Sequence, residues 1–165
     1  NPHARPSIVE VEESASNYTV ARMARSRPTV VSVGYQGRTP AELLKVLQLH
    51  RVLHVLDIRE LPLSRRKGFS KTALSESLAD ASIAYTHLRA AGNPYRRLKA
   101  DTKSCLRLYR KHLARHAEVI DLVADHIDGD PVAILCFERA HTDCHRTPLI
   151  EAVRQRVPLL RVIHV

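Results

Sequence analysis

The sequence predicts an α/β fold: a single doubly wound, mostly parallel sheet with helices on both faces, a Rossmann-like three-layer arrangement. Apolar runs of strand length alternate with helical patterns along the chain. The runs are nearly continuous, as strands buried on both faces require. Capping and turn residues separate them, and 165 residues suffice for one domain with a sizeable core.

Residues 1–28 have prolines, a short acidic run at Glu10, Glu12 and Glu13, then Arg22, Arg25 and Arg27, with no sustained apolar period. They are expected to form an extension ahead of an α/β domain at 29–165. TVVSV from Thr29 reads as a buried strand and Gly34 to Arg38 as a turn. Thr39-Pro40-Ala41-Glu42 fits a helix start, with Thr39 as N-cap, Pro40 in the first turn and Glu42 closing a capping box; the helix runs to about His50.

VLHVL from Val52 gives the second strand, ending beside Asp57, and the basic loop ELPLSRRKGF follows. Ser70 caps a helix to about Ala81, and IAYTHL from Ile83 is the third strand. A connection containing GNPY leads to one long helical pattern from Thr102 to about Ile127, with Lys103, Arg107, Arg110, Lys111 and Arg115 on its outer side. Asp128-Gly129-Asp130-Pro131 stops it. PVAILCF is the fourth strand, Pro148 to about Arg156 a helix capped by Thr147, and LLRVIHV the closing strand.

Lys and Arg number 26 against 17 Asp and Glu, a formal charge of +9 with a sequence pI near 9.9, which favours polyanionic partners, nucleic acid or nucleotide first. Three unevenly spaced cysteines do not make the framework of a small secreted domain and indicate a reducing compartment. No apolar run approaches the roughly 18 residues of a membrane span, so the expectation is a cytoplasmic protein without a membrane partner. Cofactor and oligomeric state are left open.

Ligands of open parallel sheets bind beyond the carboxyl ends of the strands. That filter gathers Gly34, Tyr35, Asp57, Arg59, His87, Cys136 and Glu138 along one edge. Cys136 and Glu138 are two apart at a strand end and should point the same way, with an arginine of the rim as the natural partner for the carboxylate. Cys144, His145 and Arg146 crowd a helix N-terminus, where backbone donors favour an anion or a reactive thiolate at Cys144. Asp57, Arg59, Ser64, Arg65 and Arg66 form a second cluster able to grip phosphate. Cys136, Glu138, His141, Cys144 and His145 also have the ligand types of a mixed metal site, although the short C-x-x-C pair of structural zinc sites is absent.

Several enzyme signatures are missing. GYQG lacks the three-glycine dinucleotide fingerprint, no GKS or GKT phosphate loop or G-x-S-x-G occurs, and neither Cys136 nor Cys144 opens a C-x5-R loop. VLDIRE resembles the strand and turn of rhodanese-like sulfurtransferases, with a different loop after the later cysteine.

SVGYQGRTPAELLKVL, VLDIRELPLSRR with FSKTALSESLADASIAYTHL, GNPYR, and ILCFERAHTDCHRTPLIEAV together resemble the domain of unknown function 488 family, over roughly Val30 to Val165. The resemblance falls on Gly34, Asp57, Arg59, Pro62, Ser64, Arg65, Gly92, Asn93, Cys136, Glu138, Cys144, His145 and Arg146. It implies an α/β fold with a shared polar pocket and no assigned activity. Members often carry Gly-His-Ser at the first turn, where this chain has Gly34-Tyr35-Gln36.

The expected function is therefore binding of a phosphate-containing ligand, with or without a reaction on it. Arg59, Arg65, Arg66 and Arg146 hold the phosphate, with Gly34, Tyr35, Ser64 and Asn93 around it. Asp57 or Glu138 serves as acid or base, and Cys136, Cys144 or His145 as nucleophile or proton carrier. The alternatives are a metal-binding or redox-sensing module built on Cys136, Glu138, Cys144 and His145, and thiol-based sulfur transfer.

Overall fold

The computed structural model describes residues 27–165, so the extension expected at 1–28 lies almost wholly outside the described residues. One five-stranded sheet, parallel at every pairing, organises the rest. Its strands are β1 (Thr29–Gly34), β2 (His54–Asp57), β3 (Ala84–His87), β4 (Val132–Cys136) and β5 (Arg161–His164), in spatial order β3-β2-β4-β1-β5. The helices are α1 (Pro40–Leu49), α2 (Lys71–Asp80), α3 (Thr102–Arg115), α4 (Ala117–Ala124) and α5 (Arg146–Val153), with single 3-10 turns at Arg89–Ala91 and His141–Asp143.

Side chains of a strand alternate between faces, and here the alternation sorts the core into two layers. Val31 and Val33 of β1 and Ala133 and Leu135 of β4 pack with Leu43 and Leu47 of α1 and Leu74 and Leu78 of α2. Val30, Ile134 and Cys136 turn the other way, onto Tyr109 and Leu113 of α3, Val119 and Val123 of α4, and Leu149 and Val153 of α5. The expected doubly wound architecture is what the chain adopts.

Local chemistry explains some helix starts: Asp101 caps α3 through the Ser104 amide, whereas Ser70 holds the N-cap position of α2 as expected but makes no side-chain capping bond. Thr39 caps α1: its Oγ1 accepts from the Glu42 amide at 3.2 Å while the Glu42 carboxylate accepts from the Thr39 amide at 2.7 Å. Two expectations need correction. The pattern from Thr102 to Ile127 is not one helix but two, broken at His116, whose φ of −128° and ψ of 65° are not helical. The apolar period continues in phase across His116, so period alone carries no trace of the break.

The last helix begins at Arg146 rather than Pro148, and Thr147 is not its cap. The Thr147 hydroxyl instead donates to the His141 carbonyl at 2.6 Å, tying the preceding 3-10 turn to the helix. Proline is tolerated anywhere in a first turn, where its missing N–H has no partner to lose.

Candidate functional site

β4 lies between β1 and β2, whose following helices α1 and α2 cover one face, whereas α5, which follows β4, covers the other. Connections that part to opposite faces leave a crevice beyond the strand ends. Register places Gly34 beside Cys136 and Asp57 beside Leu135, so the ends of β1, β2 and β4 are level there. Gly34 is required for this closure: a Cβ on it would meet the Glu138 carbonyl oxygen at 1.8 Å.

Asp57 and Arg59 form a buried ion pair, 0% and 5% exposed. Arg59 Nε donates to both carboxylate oxygens of Asp57, at 2.8 and 3.0 Å, and Nη2 donates to the second of them. Nη1 donates to the Phe69 carbonyl at 2.8 Å and to the Tyr35 hydroxyl at 3.2 Å. The Tyr85 hydroxyl donates to Asp57 at 2.7 Å. Burial alone would lower the Arg59 pKa, but the bonds and charge of Asp57 more than offset it and hold the guanidinium firmly protonated.

Thus Asp57 and most of the Arg59 fork are occupied by the protein itself. Tyr35 is buried as well, stacked on Phe69 with centroids 4.4 Å apart and edge-on to Phe137 at 5.3 Å.

The second group lies where β4 meets the loop before α5. Cys136 Sγ donates to Glu138 Oε2 at 3.2 Å, and the sulfurs of Cys136 and Cys144 lie 3.7 and 3.9 Å from His145 Nδ1. His145 Nε2 is 3.1 Å from the Ile58 carbonyl oxygen. A carbonyl only accepts, so Nε2 carries a hydrogen, and Nδ1 is the ring nitrogen that faces both sulfurs.

Arg146 is fully buried; its Nε donates to Cys144 Sγ at 3.3 Å and its Nη2 to the Glu138 backbone oxygen at 2.6 Å. Its Nη1 is buried with no hydrogen-bond partner. Burial alone would raise the Glu138 pKa, but hydrogen bonds from the Cys144 thiol, its own backbone amide and the Cys136 thiol hold it below the usual carboxylate value. The expected arginine partner of its carboxylate is not found: Glu138 takes part in no ion pair among the described residues, and Arg146 binds its backbone instead. Burial, then the neighbouring Cys136, pushes the Cys144 thiol strongly up, which weighs against a free thiolate there.

Between these groups a cavity of about 510 Å³ opens to the surface. Arg65, Arg66 and Arg96 with Ser64 and Asn93 contribute polar walls, Leu63, Leu106 and Phe137 apolar ones, and Cys136, Glu138 and His145 also line it. Arg66 is held in place, its Nη2 donating to the Arg38 carbonyl at 2.7 Å and its guanidinium 5.7 Å from the Phe69 ring centroid.

Of the residues singled out in the sequence, Tyr35, Arg59, Ser64, Arg65, Arg66, Asn93, Cys136, Glu138 and His145 line this cavity, whereas Gly34, Asp57, Cys144 and Arg146 lie behind it. His141 stays apart, stacked on His164 with centroids 3.6 Å apart. Arg96 and Phe137 also line the cavity; both lie inside the stretches GNPYR and ILCFERAHTDCHRTPLIEAV, but neither residue type at its position signals a role by itself.

The model of a family described as Domain of unknown function DUF488 matches residues 39–153. That span includes α1, both clusters and the whole cavity wall except Tyr35, and leaves out the first turn. No curated protein and no solved structure matches the chain.

Proposed function

The chain belongs to the DUF488 family, a family defined without an assigned activity, and we propose that it binds a phosphate-bearing small molecule of nucleotide size in the strand-end cavity. One observation carries this reading: in a cavity of about 510 Å³, Arg65 and Arg66 are lining cations without a carboxylate partner among the described residues, with an apolar side formed by Leu63 and Phe137, while Arg96 is paired with Glu60. Small-molecule sites run from about 300 to 1,000 Å³ and combine apolar area with a few placed polar groups. Guanidinium groups suit phosphate, and an exposed aromatic ring suits the flat face of a base.

The assignment differs from the one drawn on sequence. Arg59 and Arg146 are committed to protein partners, so they position the site, and the direct phosphate contacts fall to Arg65 and Arg66. Arg96 pairs with Glu60 at 2.8 Å, so its charge is balanced within the cavity wall. Glu138 lies half-buried in the cavity wall, beside Cys136 and in no ion pair with the two arginines assigned to the phosphate. Sulfur transfer is the weaker reading, since the loop that follows Cys136 departs from the pattern of rhodanese-like sulfurtransferases.

The test is calorimetric titration with a nucleoside monophosphate and the matching nucleoside. The monophosphate should bind more tightly than the nucleoside, and a double Arg65→Ala, Arg66→Ala variant should lose on the order of tenfold or more, as loss of charge-assisted bonds implies. Equal affinity for nucleoside and monophosphate, or none for either, would refute the reading.

A further inference from the structure

We propose that Cys136, Cys144, His145 and Glu138 form a site for one divalent transition ion of the zinc type, set at the end of β4 on the cavity floor. The proposal stands apart from the anion reading, because the ion would be held by different residues from the phosphate.

The geometry is the first argument. One ligand atom from each of these four residues lies within 4.8 Å of the others. A tetrahedral ion with Zn–S near 2.3 Å and Zn–N near 2.0 Å holds sulfur and nitrogen roughly 3.5 Å apart. The two sulfur-to-Nδ1 distances, 3.7 and 3.9 Å, are already close to that edge. The ligands come from a strand end and a helix start, which explains why the spacing does not resemble a C-x-x-C pair.

The imidazole is the second. Nε2 donates to the Ile58 carbonyl, which orients the ring so that Nδ1 faces the sulfurs. Metal-ligating histidines are oriented by just such a bond from the other ring nitrogen.

Charge is the third. Arg146 is 0% exposed, has no carboxylate within ion-pair distance among the described residues, and leaves Nη1 unpartnered. A buried cation without a counter-charge is costly. Two buried thiols acting as small apolar residues would leave that cost unexplained. When the ion binds, each thiol releases a proton to solvent, and two thiolates with the Glu138 carboxylate outweigh the ion's double charge by one. The loaded centre is then an anion lying against Arg146, whose Nε already contacts Cys144 Sγ at 3.3 Å. Thiolate and imidazole donors select zinc, iron or cobalt over magnesium or calcium.

The test uses the full chain, reduced and stripped with chelator, titrated with Co²⁺ and followed by its visible and near-ultraviolet absorption. One equivalent per chain should give thiolate-to-cobalt charge transfer and the strong visible bands of a tetrahedral site, displaced by one equivalent of Zn²⁺. Cys136→Ser and Cys144→Ser should each weaken the charge transfer and the affinity. Glu138→Gln, a half-buried change on the cavity side that leaves the core thiols in place, should keep the thiolate band and shift the visible ones. Folded wild-type protein that develops no charge transfer would overturn the proposal, as would a band that survives when both cysteines are replaced. The band should persist in the Arg65→Ala, Arg66→Ala variant, and its disappearance there would also count against a centre held by these four residues.

Discussion

Arg59 shows how a residue selected for ligand binding can turn out to hold the protein together. Its position just past β2 puts it in the cavity wall, but Phe69, Tyr35 and Asp57 occupy most of its donors. Nothing in the linear sequence distinguishes that outcome from a solvent-facing arginine, because Tyr35 and Phe69 come from other parts of the chain. The pairing of Cys136 with Glu138 was legible, since residues two apart on a strand share a face. The convergence of Cys144 and His145 on them was not, because the chain doubles back through the 3-10 turn at His141–Asp143. At this scale Asp57→Asn is expected to lower stability by about 3–5 kcal/mol, the cost of stranding a buried charge. Urea unfolding measures it, and an unchanged midpoint would mean that the pair contributes nothing.

Elements were readable wherever their ends are set by local chemistry. The capping box of α1 involves residues three apart, so its sequence spacing already states its geometry. Thr39→Ala should cost about 1 kcal/mol and be visible as a lowered thermal midpoint, while Thr39→Ser should stay close to wild type. The break at His116 and the start of α5 at Arg146 escaped for the opposite reason. On either side of His116 the apolar residues keep one period, and Pro148 fits a first turn at more than one position. Helix α5 also lacks a side-chain cap at His145, whose ring is turned instead toward the two cysteines.

For the whole molecule, the alternation of strands and helices announced a doubly wound sheet, but not the order β3-β2-β4-β1-β5, which depends on pairings far apart in the chain. That order puts β4 between two strands whose helices leave to the other face, and so creates the crevice. Among the described residues no helix is long and apolar enough to cross a membrane. The pH response is also collective. Burial first, and then neighbouring charges, hold His54, His112 and His164 below the ordinary value of 6.5. Because their folded values lie below the unfolded one, the stability they contribute is complete above that pH and is lost as pH falls through the depressed values. The urea midpoint is therefore expected to fall between pH 7 and about 5, and a flat profile there would contradict these shifts.

The central claim is that the carboxyl edge around β4 is where this protein meets its ligand. A crystal structure grown with a nucleoside monophosphate and without chelator tests it most directly. The phosphate is expected against Arg65 and Arg66, with the base on the Leu63 and Phe137 side of the same cavity. A nucleotide seated on another face, or a cavity that stays free of it at saturating concentration, would refute a ligand site at this edge.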